Sequence, residues 1–243
     1  MGSKATANVQ CKLVLVGNGS VGKTSIIARF TNDGFRHVYK QTIGCDFFEK
    51  ELKVRGDQLK VTMQVWDIGG QSLNAKMMKQ YIHGAKVVFL CYDVTDSGSF
   101  DDLDDWLKVV RKHSAPHAKP QVHLVGNKID LTGLRRVSQL SHDRFISANN
   151  LSGGFQCSAM TGDKVLSNFY ALAANVVGVK LSSYDLAFHE KVCICGKAAL
   201  FARAGDGAAD EGRTPEADAI EAEDMALEAK KQRAGRVPGC ICS

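Results

Sequence analysis

The residues "GNGSVGKT", Gly17 to Thr24, stand between an apolar run, "KLVLVG" (12–17), and a helix-like one, "KTSIIARF" (23–30). They fit the spacing G-x-x-x-x-G-K-[ST] in the strand-to-helix context that it demands. Glycines there let successive backbone N–H groups close around an anion that side chains would hold away. Lys23 can then reach the outer phosphates, and the Thr24 hydroxyl can ligate Mg²⁺. Gly17, Gly19, Ser20, Val21, Gly22, Lys23, Thr24 and Ser25 are the candidate nucleotide contacts of this loop.

A second set, "VGNKID", offers Asn127, Lys128 and Asp130 at the end of another apolar run. The Asp130 carboxylate can accept two hydrogen bonds, from the N1–H and the exocyclic amine of guanine. Adenine lacks that donor pair and would leave the carboxylate desolvated and unpaired. A kinase built on the same phosphate loop would leave "NKID" unexplained, and no acceptor site is visible for one. The pair of motifs favours GTP.

The elements that must carry these loops alternate along the chain. β-rich and helix-like runs follow one another: 12–17, 23–30, "KVTMQVWD" (60–67), "KVVFLCYD" (86–93), "DDLDDWLKVVRKH" (101–113) and "QVHLVGNK" (121–128). "KVLSNFYALAANVVGVK" (164–180) is apolar enough to pack on a sheet. This pattern predicts an α/β fold, doubly wound around a mostly parallel, buried sheet. "CDFFEKELKVRG" (45–56) leads through Gly56-Asp57 into the next strand, a hairpin that makes one edge antiparallel. Past Lys180 the chain turns Ala/Gly-rich and aperiodic and reads as linker or disorder. A stretch at 214–233 has helix signals, but only Ile220, Met225 and Leu227 on its apolar face, so a transient helix is expected. The expected organisation is an N-terminal extension at 1–10, a globular domain at 11–180 and a flexible tail at 181–243.

Composition sets limits. The chain has 243 residues, 44% hydrophobic and 23% charged, which is ordinary globular usage, and its net charge of +5 is mild. No nucleic-acid-binding motif appears, and no nucleic acid partner is expected. "MGSKATANVQ" has no apolar signal-peptide core, and no run approaches the ~20 apolar residues of a membrane span. The eight cysteines are therefore expected reduced, with Cys11, Cys45, Cys91 and Cys157 packing as small hydrophobes.

With both loops in place, the chain resembles a small GTPase of the Ras superfamily, more closely the Rab family. "IGCDF" (43–47), "MQVWDIGGQ" (63–71), "YIHGA" (81–85) and "LCYDVT" (90–95) carry the likeness along with the loops, in order, over residues 11–180. Within Rabs, "YKQTIGCDFF" with "WDIGGQ" resembles a divergent branch associated with cilia and endosomes. The resemblance implies a P-loop GTPase domain with GTP or GDP and Mg²⁺ as cofactors. It implies that Phe35 packs on the guanine and that Tyr39 is among the nucleotide contacts. Thr42 completes Mg²⁺ coordination, and Ser158 and Ala159 line the base through backbone N–H. Met160 stands where lysine is usual and brings packing without charge. Asp67 would hold Mg²⁺ through water, the Gly70 N–H would read the γ-phosphate, and Gln71 would orient the attacking water as the catalytic residue.

Ile68 and Gly69 depart from the usual Thr-Ala, and Ser72 from the usual Glu. Neither change at 68 or 69 removes a polar side chain that carries chemistry, since the role of a threonine at 68 is packing. Gly69 is expected to make ordering of this loop costlier by about 0.5–1 kcal/mol, a few-fold in rate. A slow hydrolase that awaits an arginine in trans is expected, with a GTP-dependent tether of negligible turnover as the alternative. The implied partners are effectors on a GTP-ordered surface (about 35–47 and 67–80), an exchange factor and a GTPase-activating protein; the chain itself is expected to be monomeric.

The chain ends "GRVPGCICS", in which Cys240 fits C-a-a-X with a terminal serine favouring farnesyl. Lys230, Lys231, Arg233 and Arg236 supply the second signal that a single lipid needs at an anionic membrane surface. Prenylation of both Cys240 and Cys242 would exclude that processing, and the single-chain reading is preferred. The prenylation machinery and the cytoplasmic face of membranes follow as expected partner and location, endosomal or ciliary by resemblance. Gly2 in "MGSKAT" meets the loose myristoylation pattern and also resembles an expression scar.

Overall fold

The computed structural model describes residues 7–32, 41–54, 59–71, 77–115 and 117–181. Among them, β1 (Ala7–Val16), β2 (Cys45–Lys53), β3 (Leu59–Ile68), β4 (Val87–Asp93), β5 (Gln121–Asn127) and β6 (Gly153–Gln156) form one sheet, ordered β2-β3-β1-β4-β5-β6. β2 is antiparallel to β3, and the other pairings are parallel. The helices are α1 (Lys23–Asn32), α2 (Met78–Ile82), α3 (Ser97–Asp101), α4 (Leu103–His113), α5 (Gln139–Ala148) and α6 (Val165–Val176). The expected α/β sheet with one antiparallel edge is present.

The continuous apolar runs are explained by cover on both faces of the sheet. Cys11, Leu13 and Leu15 of β1 enter one core with Ile26, Ile27 and Phe30 of α1 and with Phe169 and Leu172 of α6. Val14 and Val16, the intervening residues, enter the other core with Met78 and Ile82 of α2 and with Trp106 and Val110 of α4. Phe30 stacks on Phe169 at 3.9 Å between ring centroids, which locks α1 to α6 behind the phosphate loop. α4 buries Leu103, Trp106, Leu107 and Val110, a spacing of three, four and seven that places them on one face. Asp104 and Asp105 lie in its first turn and Arg111, Lys112 and His113 in its last, each favourable to the helix dipole.

β1 starts at Ala7, so its ladder with β3 takes in residues assigned from sequence to an N-terminal extension. Asn8 there accepts a hydrogen bond from the Thr62 hydroxyl at 3.0 Å. Cys11, Cys91 and Cys157 are buried free thiols and Cys45 is half-buried. Burial pushes Cys11 up to about 11 and Cys91 up to about 12, so both stay protonated, inert packing groups. Among the described residues no helix is long and apolar enough to cross a membrane. The Gly56-Asp57 turn, Phe35, Tyr39, Ser72, Cys240 and the rest of the tail beyond 181 lie outside the described residues.

Candidate functional site

The carboxyl ends of parallel strands meet along one edge of the sheet, where α/β folds place their ligands. Gly17 follows β1, Asp67 comes near the end of β3, Asp93 ends β4 and Asn127 ends β5. Around them opens a cleft of about 650 Å³, lined on one side by Gly19, Lys23, Thr24, Thr42, Gly70 and Gln71 and on the other by Asn127, Lys128, Asp130 and Met160. The structure thus brings together loops that lie a hundred residues apart in sequence.

On the phosphate side, Lys23 is buried and donates to the Gly17 and Asn18 carbonyls, both at 2.7 Å. Burial lowers its pKa, with Cys91 and Asp67 pushing the other way. The Thr24 hydroxyl donates to Asp67 Oδ2 at 2.5 Å and lies 3.0 Å from the Thr42 hydroxyl. The Thr42 hydroxyl is itself 3.4 Å from the same Oδ2. Asp67 is fully buried, and its Oδ1 has no hydrogen-bond partner. Burial raises its pKa against the Thr24 bond and the Lys23 charge. An unpaired buried carboxylate oxygen is costly, and two hydroxyls beside a carboxylate are the hard oxygen donors Mg²⁺ prefers. The residues present fit that ion.

The loop departures now have a geometry. Ile68 is fully buried, pairs with Cys45 at the end of the β2–β3 ladder and packs in the core that holds Met78 and Ile82. The Gly69 N–H donates to the Gly44 carbonyl at 2.9 Å. A Cβ on Gly69 would lie 2.4 Å from the Thr42 carbonyl oxygen, and one on Gly70 would lie 2.1 Å from the Gly19 nitrogen. Both glycines therefore permit close backbone approach. The sequence suggested only entropic slack at Gly69; its missing side chain is also what lets the 42–44 segment lie against the end of β3. Gln71 is exposed at the rim.

On the base side, Asn127 clamps two loops: its amide donates to the Val21 carbonyl and its Oδ1 accepts from the Ala159 N–H, both at 3.0 Å. Lys128 has a left-handed backbone (φ +68°) and pairs through Nζ with Asp93 Oδ2 at 2.7 Å. The Ser158 hydroxyl donates to Asp130 Oδ1 at 2.5 Å and accepts from the Thr161 N–H at 3.0 Å. Met160 is 51% exposed at the cleft edge. Five supporting residues were not found from sequence. Arg29 of α1 donates to the Ala159 carbonyl at 3.0 Å and to the Met160 carbonyl at 2.5 Å. Asp93 holds Lys128. Trp106 donates to Asn18 Oδ1 at 2.9 Å, and Asn18 donates to Asp102 at 2.6 Å, which ties the phosphate loop to α4. No local motif signals these partners; only the strand-end "YD" places Asp93 near the site.

The family model described as the Ras family matches residues 12–178. Similar curated proteins include the Caenorhabditis elegans Ras-related protein Rab-28, 44% identical over 176 residues that cover 72% of this chain and 70% of the relative. The Mus musculus Rab-12 is 35% identical over 157 residues, 65% of this chain and 62% of the relative. The Bos taurus Rab-13 is 33% identical over 166 residues, 68% of this chain and 79% of the relative. Ras and Rab GTPases bind GTP or GDP with Mg²⁺, and the carboxylate of Asp130 and the oxygen cluster at Thr24, Thr42 and Asp67 suit such ligands. The chain belongs to the Ras family of small GTPases, on its Rab branch.

Proposed function

We propose that the chain is a guanine-nucleotide switch that hydrolyses GTP slowly, depends on an activating protein for speed, and controls effector binding in membrane traffic. The observation that carries this reading is the meeting of Thr24, Thr42 and the unpaired Asp67 oxygen in the cleft that also holds Asp130.

Asp130 and Asn127 fix the base end; Lys23 and the Gly17–Thr24 backbone hold the phosphates. Thr24, Thr42 and Asp67 would hold Mg²⁺, whose charge offsets that of the phosphates. Gln71 accepts a hydrogen bond from the attacking water and keeps its lone pair toward the γ-phosphorus. The new oxygen–phosphorus bond forms as the bond to the β–γ bridging oxygen breaks, and the water's proton passes to a γ-phosphate oxygen, giving GDP and phosphate. None of the described residues that line the cleft is an arginine, which supports supply of that charge in trans. Phe35 and Tyr39 are assigned to the nucleotide as well. Loss of the γ-phosphate removes a partner of the Gly70 N–H and frees the segments on either side of Gly69. Effectors read the surface carrying Ile43, 89% exposed, and Phe47, which meets Trp66 edge-on at 5.3 Å. A lipid on Cys240, with the basic residues before it, holds the switch to a membrane.

Single-turnover GTP hydrolysis by the full chain with Mg²⁺, beside Gln71→Leu, tests the reading. A rate near the ~10⁻⁴ s⁻¹ of unaided small GTPases that falls about tenfold or more in the variant supports it. Equal, negligible rates with GTP tightly held would move the assignment to a GTP-dependent tether.

A further inference from the structure

Behind the guanine-reading loops lies a hydrogen-bond chain, buried except at its exposed Arg135 end, that neither the motifs nor the hydrolysis step uses. Tyr92 of β4, Gly126 of β5 and Gln156 of β6 are lateral neighbours across three strands. Each stands one or two residues before a group of the base pocket: Asp93, which holds Lys128; Asn127; and Ser158, which holds Asp130. Gln156 Nε2 lies 3.0 Å from the Tyr92 hydroxyl, and that hydroxyl lies 2.9 Å from His142 Nδ1 of α5. Arg135, in the loop that follows Asp130, donates to Gln156 Oε1 at 2.9 Å and to the Val137 carbonyl at 3.2 Å.

The chain has one direction. Arginine only donates, so it must face the amide oxygen of Gln156. The amide nitrogen then faces Tyr92 and donates to its oxygen, and the tyrosine proton goes to His142 Nδ1. His142 is therefore neutral, with its proton on Nε2; a proton on Nδ1 would leave the Tyr92 proton without an acceptor. Burial lowers its pKa in the same sense, with Asp143 opposing and Arg135 adding to the effect. Gly126 makes the row possible, because a Cβ there would lie 2.7 Å from the Tyr92 hydroxyl.

We propose that Arg135, Gln156, Tyr92 and His142 are positioning residues for guanine selection, holding three strand ends and the Asp130 loop in register so that Asp130 meets both donors of the base. This rests on the reading that Asp130 recognises guanine. Buried polar chains of this kind specify one arrangement when every member is satisfied, and lose it when one is removed.

The test is release of GDP and of inosine diphosphate, which lacks the 2-amino group, from the full chain with Mg²⁺. Wild type should release inosine diphosphate faster; no preference would overturn both the reading of Asp130 and this inference. Tyr92→Phe keeps the ring and removes the hydroxyl. It should speed GDP release about tenfold and shrink the GDP preference by about threefold or more, the scale of one buried hydrogen bond. His142→Leu should do the same. His142→Asn, whose Oδ1 replaces Nδ1 as acceptor, should return both readings to within about twofold of wild type. Lower melting temperatures in Tyr92→Phe and His142→Leu with an unchanged preference ratio would make the chain a stability element only and overturn the proposal.

Discussion

At the base end of the cleft, Asn127, Lys128, Asp130 and Ser158 each already hold a partner, and Arg29 fixes the carbonyls of Ala159 and Met160. Even Lys128, whose left-handed backbone costs on the order of 1–3 kcal/mol, is held in place by Asp93. At the phosphate end, Asp67 carries a buried oxygen with no partner, Thr42 reaches its neighbours at 3.0 and 3.4 Å, and Gln71 is exposed. One end is finished by the protein, the other by its ligand. A preformed base pocket gives affinity and selectivity without paying for ordering on each binding event. A phosphate end that needs the ligand to satisfy it can report which nucleotide is bound.

Substitutions at the two ends should separate cleanly. Asp130→Ala should have the largest effect. Loss of two hydrogen bonds to a charged group, about 1.5–3 kcal/mol each, speeds GDP release by about 10²–10⁴. It should bring GDP and inosine diphosphate together, while the ratio of release with and without a Mg²⁺ chelator stays as in wild type. A change in that ratio would mean that the two ends are not independent.

Gly69→Ala should act at the other end and more weakly. The added methyl, 2.4 Å from the Thr42 carbonyl, forces the 42–44 segment away at a cost of about 1 kcal/mol or more, as overpacking does. The Mg²⁺ concentration for half-maximal retention of GDP should rise about fivefold, with release in chelator unchanged. The experiment restores the alanine usual in the wider family, so a gain in Mg²⁺ retention would show that the close approach of Thr42 carries no function.

The fold was legible where apolar runs are unbroken. β1, β3, β4, β5, α1, α4 and α6 all coincide with runs that a two-faced sheet must bury. β6, "GGFQ", was not legible, because two glycines and a glutamine hide a strand whose place is set by its ladder to β5. α5 was missed because its buried residue is His142, a polar group at the position where periodicity looks for an apolar one. The candidate site was legible as three local motifs, which the structure gathers around one cleft. Its support was not. Arg29 reaches carbonyls 130 and 131 residues away, and nothing local marks it. At Gly69, composition shows a freer backbone, but only the fold shows the carbonyl that fills the space.

On the proposed function, nucleotide state is read at one end of the cleft and not the other. Amide hydrogen exchange on the full chain, with Mg²⁺ and either GDP or a non-hydrolysable GTP analogue, tests it directly. Slower exchange with the analogue is expected at 42–45 and 68–71, and equal exchange in both states at 126–130 and 157–160. Equal exchange at 42–45 and 68–71 in the two states, or a change as large in the base loops, would contradict it.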